Sequence, residues 1–291
     1  MGILYERLMI LLNEAEPGSA ESHIAYMMLQ NLASLAGMTI GQVAELCGVS
    51  KSTVSKFVNK LGYASYKDFR DAAIFEENKY GNSQNYLTNV IDRLNRFSVE
   101  EYAENVCSDL MLTARTLDRD NIDRLAQDLM DHKIVVAFGL MFSQTAAEDL
   151  QTKLGYLGKF IYTSSNDIKQ EQSLRSAGPD TLAIIFSESG GYLDRYGAMI
   201  DDFSEKDTFS ATKAKVVLIS ANEKALHDPR IAYGIHIRRT TGLRSHAYTF
   251  ELITDAIAQS YRRLVRDRRT QDASGPHPGS QTADSAGRRQ N

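Results

Sequence analysis

The amino-acid sequence predicts a multi-domain protein, in which an all-α domain is followed by an α/β domain with a five-stranded parallel sheet. The chain has 291 residues, enough for about two domains at roughly 150 residues each. In the first part, apolar residues recur at helical spacing and helix-capping residues precede them. Beyond residue 130 the pattern changes to short β-branched runs, separated by segments long enough for crossover connections. This second pattern is typical of a parallel sheet.

The composition is that of an ordinary soluble globular protein, with 43% hydrophobic and 24% charged residues. The net charge of -4 excludes a uniformly basic coat, so any binding of DNA has to depend on a local patch. Two cysteines and six scattered histidines indicate neither a disulfide framework nor a metal site, and we predict no cofactor. The N-terminal stretch lacks the basic leader of a signal peptide, and no segment is long enough to span a membrane. We therefore expect a cytoplasmic protein.

Three capped helices are predicted at the N-terminal end, and a further helix follows them. Ser19 is the cap of the first, and Thr39 with Gln42 fits a capping box at the start of the second. Gly48 follows the end of the second helix, as glycine commonly does. Ser50 then caps the third helix.

The second and third of these helices have the spacing of a helix-turn-helix. Ala44 is small enough for the helices to approach, Gly48 permits the sharp turn, and apolar residues fix the crossing angle. Such a pair presents the N-terminal end of its second helix, which can enter a major groove. The outward side chains of this helix are hydroxyls, ammonium groups and an amide, without a carboxylate. The predicted DNA-contacting residues are Ser50, Lys51, Ser52, Ser55, Lys56 and Asn59.

The chemistry of this surface suits a duplex. Between residues 48 and 70 there are five basic residues and one acid, Asp68, so the patch is locally basic. Lysines neutralise phosphates, while serine and asparagine can bond phosphates or base edges. The alternative, a solvated face of a helical bundle, accounts for the polar surface but not for the complete spacing with both caps.

Five β-branched runs predict the strands of the α/β domain, at residues 134–138, 159–162, 181–186, 215–219 and 233–237. Residues 99–130 are predicted to be helical with a break near residue 117, and a last helix is predicted over residues 245–265. Beyond residue 265 there is no Leu, Ile, Val or aromatic residue, so we expect disorder. The predicted boundaries are residues 1–78 for the helix-turn-helix domain, 79–117 for a helical linker, 118–265 for the α/β domain and 266–291 for the tail.

Two loops that follow predicted strands contain the residue types of a phosphate site. Gly139 and Ser143 follow the first strand. With a strand order of 2-1-3-4-5, as in flavodoxin-like folds, this loop and the loop after the third strand meet where the winding direction reverses. Hydroxyls and N–H groups at helix N-termini would then form an anion site, although ordinary βα turns use the same residues. The residues of the second loop are Ser187, Ser189, Gly190 and Gly191.

The two halves together resemble the RpiR-type family of bacterial transcription regulators, which join a helix-turn-helix domain to a sugar isomerase (SIS) domain. The first half shows the resemblance through MTIGQVAELCGVSKSTVSKFVNKLGYASYKDFR, residues 38–70. The second half shows it through VVAFGLMFSQTAAEDLQTKLGYLGK and AIIFSESGGYLD. The resemblance implies a regulator that senses a phosphorylated sugar or amino sugar and forms a dimer or larger homo-oligomer. By position it implies effector binding by Ser143, Ser187, Ser189 and Gly190.

Two positions depart from the family pattern. The first loop usually reads GxGxS, and Met141 replaces its second glycine. The second usually reads SxSGxT, and Tyr192 stands in place of the threonine. We expect Met141 to narrow the phosphate site and Tyr192 to donate only from further away.

Three functions are compatible with these patterns: a ligand-responsive DNA-binding regulator, a sugar-phosphate isomerase, and a regulator that has lost its effector site. An isomerase needs a positioned base and acid. The available side chains are Glu148, Glu188, His246 and Glu251, and no spacing pairs them, so no catalytic residue is assigned. Because an isomerase has no need of a helix-turn-helix, we expect a regulator that is not an enzyme, forms a symmetric dimer, and binds operator DNA and a phosphosugar.

Overall fold

The computed structural model describes residues 3–79, 98–194, 208–240 and 246–274. The N-terminal helices are α1 (Ile3–Glu14), α2 (Ala20–Gln30), α3 (Leu32–Leu35), α4 (Ile40–Leu46), α5 (Lys51–Lys60) and α6 (Tyr66–Lys79). Two helices lead into the sheet, α7 (Val99–Thr116) and α8 (Arg119–Asp131). The strands are β1 (Ile134–Phe138), β2 (Thr181–Phe186), β3 (Lys215–Ser220) and β4 (Tyr233–His236). The remaining helices are α9 (Phe142–Tyr156), α10 (Asp167–Ser176), α11 (Thr208–Ala211) and α12 (His246–Ser274).

The predicted helix caps in the N-terminal part are confirmed. The Ser19 hydroxyl accepts a hydrogen bond from Ser22 N–H, and Thr39 with Gln42 forms the complete capping box. Helix α4 ends in a Schellman motif, in which Gly48 has φ +64° and Val49 N–H donates to a carbonyl of the preceding turn at 2.9 Å. These local signals fix where α2 and α4 begin and how α4 turns into α5.

Helix α1 is an addition to the predicted elements. Leu4, Leu8 and Leu11 are buried in the same cluster as Ile24 and Met28 of α2. The cluster also contains the apolar residues of α4, α5 and α6, so α1 belongs to the core around the helix-turn-helix.

The sheet has four strands in the order β1-β2-β3-β4, all parallel. The prediction of five strands is wrong for residues 159–162, which contribute a single bridge between Tyr162 and Val136 on the free side of β1. Lys159 N–H donates to the Leu154 carbonyl and closes the end of α9, and Phe160 is 82% exposed. Lys159 is therefore engaged at the helix end, and the pairing with β1 is limited to Tyr162, whose main chain bonds to Val135 and Ala137. The order of the four strands and the bridge follows the predicted 2-1-3-4-5 pattern.

Apolar side chains alternate between the two faces of the sheet. Val135 and Ala137 of β1 lie in one cluster with α8, α9 and α12. Val136 and Phe138 lie in a second cluster with residues of α10 and α11. Helices on both faces of a parallel sheet define a three-layer α/β arrangement.

The last helix is longer than predicted. It begins at His246, close to the predicted start, but continues past residue 265 to Ser274. Residues 266–274 are therefore helical rather than disordered, and the rest of the predicted tail lies outside the described residues. Within this extension Arg268 pairs with Asp131 of α8 at 3.4 Å, and just before it Arg263 pairs with Asp123 at 2.6 Å.

Helices α7 and α8 are separated at the predicted position, and residues 80–97 of the predicted linker lie outside the described part of the chain. None of the helices within the described ranges combines the length and the apolar character needed to cross a membrane.

Candidate nucleic-acid interface and effector site

Helix α5 presents most of the predicted DNA-contacting side chains on its outer face. Ser55 is half-buried, whereas the other five side chains are exposed. The opposite face is formed by Val54, Phe57 and Val58, which are buried in the core. The exposed members are Ser50, Lys51, Ser52, Lys56 and Asn59.

Ser50 has a structural role that limits its contact with a ligand. Its hydroxyl accepts a hydrogen bond from Thr53 N–H at 3.2 Å and lies 2.8 Å from the hydroxyl of Ser52. The Ser50 hydroxyl therefore satisfies a backbone N–H group in the first turn of α5, and the Ser52 hydroxyl bonds to it. The outward groups without such a role are the two ammonium groups and the amide of Asn59.

The two lysines of the α5 surface differ from their basic neighbour Lys60. Lys60 pairs with Glu21 at 2.5 Å, whereas neither Lys51 nor Lys56 forms an ion pair within the described ranges. The Lys51 side chain lies against the start of α4, because a Cβ built on Gly41 would be 3.2 Å from its Cε. The surface thus presents two cations, at the position where a helix-turn-helix approaches phosphates.

The loop after β1 is a tight turn into α9. The carbonyl of Leu140 accepts a hydrogen bond from Ser143 N–H at 2.9 Å, and Met141 has φ +51° and ψ -118°. These are the angles of the second position of a type II′ turn, which favours glycine. Gly139 leaves no room for a side chain, since a Cβ there would lie 2.5 Å from the backbone of Ser143. Met141 therefore adopts a backbone conformation that favours glycine, the residue of the family pattern at this position.

The loop after β2 bonds largely to itself. Gly190 N–H donates to the Ser187 carbonyl at 3.1 Å, and Gly191 N–H donates to the Ser189 hydroxyl at 3.3 Å. The Ser187 hydroxyl accepts from Tyr192 N–H at 3.2 Å. The N–H groups that were predicted to surround a phosphate are thus engaged inside the loop.

A buried amide joins the two loops. Gln170 of α10 donates to the Gly139 carbonyl at 2.8 Å and accepts from the Tyr192 hydroxyl at 2.6 Å. Gln144 of α9 joins the same network, since its side-chain oxygen accepts from Gln170 at 3.2 Å. The expected convergence of the loops is present, but protein groups occupy the space between them.

Tyr192 points into the protein rather than towards a ligand. Its ring packs edge-on against Phe209 of α11, with centroids 5.8 Å apart, and its hydroxyl is committed to Gln170. The expectation that Tyr192 donates to phosphate from further away is therefore wrong for this conformation. Neither Gln144 nor Gln170 was among the predicted site residues, because a lone amide on a helix has no spacing signal.

The accessible part of the second loop borders a concavity of about 270 Å³ between the loops after β2 and β3. Asn222 donates to the Ser189 carbonyl at 2.8 Å, and the exposed Lys224 supplies a cation at the rim. Asp228 also lines the concavity, and hydrogen bonds from Arg230 hold the pKa of its carboxyl below the ordinary range. Ser189, Gly190 and Gly191 are the predicted effector residues that line this space.

Of the four side chains considered for isomerase chemistry, two have partners within the protein, one is exposed and one lies outside the described set. Glu148 accepts a hydrogen bond from Gln144 at 3.2 Å, and Glu188 forms an ion pair with Arg239. Glu251 is exposed on α12, and the side chain of His246 lies outside the described set. Over the described ranges, no group of His, Cys, Asp and Glu is arranged to hold a metal ion.

Comparison with known proteins agrees with this architecture. Residues 10–76 match the family model for a helix-turn-helix domain of the rpiR family. A protein of Providencia stuartii, named as an uncharacterized HTH-type transcriptional regulator in the aarA 3′ region, is 25% identical over 199 residues. That similarity covers 67% of this chain and 68% of the relative.

Many solved structures are similar to this chain, including the following two. The Vibrio vulnificus NanR protein complexed with ManNAc-6P has 18% identity and a TM-score of 0.47, covering 93% of this chain and 96% of that one. The sugar isomerase domain of an RpiR transcription factor from Sphaerobacter thermophilus has 14% identity and a TM-score of 0.43, covering 60% and 97%.

The fold and the α5 surface define a helix-turn-helix protein with an additional α/β domain. Residues 10–76 form a helix-turn-helix domain of the rpiR family, and the Providencia regulator is similar to this chain over 67% of its length.

Proposed function

We propose that the chain is a transcriptional regulator of carbohydrate metabolism that binds operator DNA through the outer face of α5. The observation that supports this most directly is the pair of exposed lysines, Lys51 and Lys56, on the second helix of a pair that lies within the matched helix-turn-helix domain. Asn59 extends the same face with an amide, which can bond to adenine. A symmetric dimer would present two such helices to half-sites about one helical turn, roughly 34 Å, apart.

Selection of bound fragments from the host genome tests this proposal. We expect a small set of enriched promoters, with an inverted repeat whose half-sites lie about one helical turn apart. Sedimentation of the protein with and without a selected fragment would measure its oligomeric state. If the protein retains no host fragment even at low salt, it does not act through DNA.

The proposed effector is a phosphorylated sugar or amino sugar, bound at the carboxyl edge of the sheet. Support comes from the glycines and hydroxyls of the two loops, their convergence on Gln170, and the concavity beside Ser189 with Lys224 at its rim. A panel of sugar phosphates in a thermal-shift assay would identify the effector. We expect Ser189→Ala to reduce the shift while DNA affinity is retained, and an undiminished shift would remove Ser189 from the site.

A regulator without an effector is the second candidate, and a specific observation favours it. The loop after β2 satisfies its own N–H groups, and Tyr192 fills the interior that a phosphate would need. This candidate predicts no thermal shift with any sugar phosphate and DNA affinity that is indifferent to all of them. We propose no catalytic activity, and robust turnover of aldose or ketose phosphates would contradict that.

A further inference from the structure

Helix α1 reaches the carboxyl edge of the sheet and places a carboxylate in the first effector loop. Glu6 Oε1 accepts a hydrogen bond from Met141 N–H at 3.0 Å, and Glu6 is only 8% exposed. Met141 immediately precedes α9, so the carboxylate lies at the positive end of that helix. The structure therefore already holds an anion where the sequence predicts the phosphate of an effector.

The next residue, Arg7, joins α1 to the α/β domain and to the end of α5. Its Nε and Nη2 donate to the two carboxylate oxygens of Asp167 at 2.9 and 2.7 Å. Its Nη1 donates to the Leu61 carbonyl at 3.1 Å, and its guanidinium lies over the Tyr63 ring, 4.9 Å from the centroid. The side chains of Arg7 and Asp167 are 12% and 1% exposed, so this two-pronged pair is shielded from solvent and fixes an orientation.

The two domains are also in direct contact beside this pair. A Cβ built on Gly62, at the end of α5, would lie 2.1 Å from the side chain of Ile168 in α10. Asp167 is the first residue of α10, one turn before Gln170, whose amide joins the two effector loops. One short helix thus links the effector loops to the C-terminal end of the DNA-reading helix.

We propose that the contacts Glu6–Met141 and Arg7–Asp167 form an interdomain latch, and that a phosphate-bearing effector opens it by displacing the Glu6 carboxylate. Two anions cannot share the single N–H donor of Met141, because their like charges repel at that distance. The inference rests on the proposed effector site and adds how that site controls the DNA-binding domain. The closed latch fixes the direction of α5 relative to the sheet, and the open latch frees it. The effector shifts this equilibrium because it binds only the open form.

The latch lowers the affinity of the site for phosphate, because only the open fraction is competent to bind. Glu6→Gln keeps the size and an acceptor oxygen of the side chain but removes its charge. We expect this variant to bind inorganic phosphate about tenfold more tightly, which corresponds to 1.4 kcal/mol. This is close to the lower end of the range of net free energies that hydrogen bonds with charged groups contribute. Glu14→Gln is the matched control, since it removes one negative charge from the exposed end of the same helix.

Distance measurement between two spin labels reports the latch directly. One label is attached to the exposed native Cys107 on α7, and the other to a cysteine introduced by Glu45→Cys on α4. We expect a narrow distance distribution in the free protein and a broader or shifted one with inorganic phosphate. Dilution of labelled with unlabelled chain removes contributions from a second copy.

The double variant Arg7→Met with Asp167→Leu tests the latch without phosphate. It removes both charges together, so neither is left buried and unpaired. We expect the open distance distribution in this variant, with circular dichroism showing retained helix content.

The proposal is overturned if Glu6→Gln binds phosphate no better than Glu14→Gln, or if no variant binds it. It is also overturned if neither phosphate nor the double variant alters the distances. Failure of the DNA-binding proposal is seen separately, as the absence of selected genomic fragments. A chain that binds such fragments but keeps its distances both in phosphate and in the double variant would overturn the latch alone.

Discussion

Replacement of Met141 tests whether the turn after β1 is strained. Met141 occupies the second position of a type II′ turn, with φ +51° and ψ -118°. A non-glycine residue in such a sparsely populated region costs on the order of 1–3 kcal/mol. Met141→Gly should relieve this strain, and it keeps the main-chain N–H that Glu6 contacts.

The magnitude follows from comparing Met141→Gly with Met141→Ala. Both variants lose the same apolar contacts beyond Cβ, so the difference between them isolates the backbone. At an ordinary position glycine is less stable than alanine by about 0.5–1 kcal/mol, because the unfolded chain is freer. Subtracting this from the strain leaves Met141→Gly more stable than Met141→Ala by about 1 kcal/mol, or roughly 2–4 °C in melting temperature for a domain of about 150–250 residues.

Circular dichroism is the suitable assay, since the chain contains no tryptophan. Thermal unfolding of the two variants would be followed under identical conditions. Ala114→Gly, on the exposed face of α7, is the control and should destabilise by about 1 kcal/mol. Glycine should therefore be less stable than alanine at position 114 but more stable than alanine at position 141. If Met141→Gly is no more stable than Met141→Ala, the turn is not strained and the reasoning is refuted.

Three further predictions concern the α5 surface, the first loop and the sheet. Lys56→Ala should weaken binding to all duplexes and lower the slope of log affinity against log salt concentration by about one unit. Replacement of the exposed Lys213 by alanine is the control and should leave this slope unchanged. Equal slopes for wild type and Lys56→Ala would exclude a phosphate contact at Lys56. Gly139→Ala should destabilise by about 1–3 kcal/mol or more, since its Cβ would clash with backbone, and an unchanged denaturation midpoint would contradict this. Burial and then the hydrogen bond to Asp128 raise the pKa of Tyr233. The protonated hydroxyl therefore contributes fully to the stability of the fold below about pH 10, and this contribution is lost at higher pH. Above that pH the free energy of unfolding of the wild type should fall more steeply than that of Tyr233→Phe. Parallel curves of stability against pH would contradict the raised pKa of Tyr233.

Features that depend on neighbouring residues were predictable from the sequence. The capping box at Thr39, the glycine turn at Gly48 and the four strands each depend on residues within a few positions, and the structure confirms them. The strand order was predictable because parallel connections leave few topologies. The placement of the predicted DNA-contacting side chains follows from the same local geometry, while their contact with DNA stays a prediction.

Two errors arise where another interaction overrides the hydropathy pattern. Residues 159–162 have β-branched and aromatic character, but Lys159 is needed to close α9. Residues 266–274 lack apolar side chains, yet ion pairs to α8, such as Arg268 with Asp131, support a helix there. Hydropathy alone registers neither effect, because the first is a main-chain hydrogen bond at a helix end and the second joins charged side chains that are distant in sequence.

The two departures from the family pattern are connected in space, and this connection bears on the effector site. Met141 and Tyr192 lie in different loops, but Gln170 contacts the carbonyl of Gly139 beside one and the hydroxyl of the other. Met141 offers its N–H to Glu6, and Tyr192 fills the interior beside Ser187. Both substitutions therefore favour a site filled by the protein's own groups. A ligand that enters between the two loops must displace at least one of these groups, and displacement of Glu6 would couple its binding energy to the contact between the two domains.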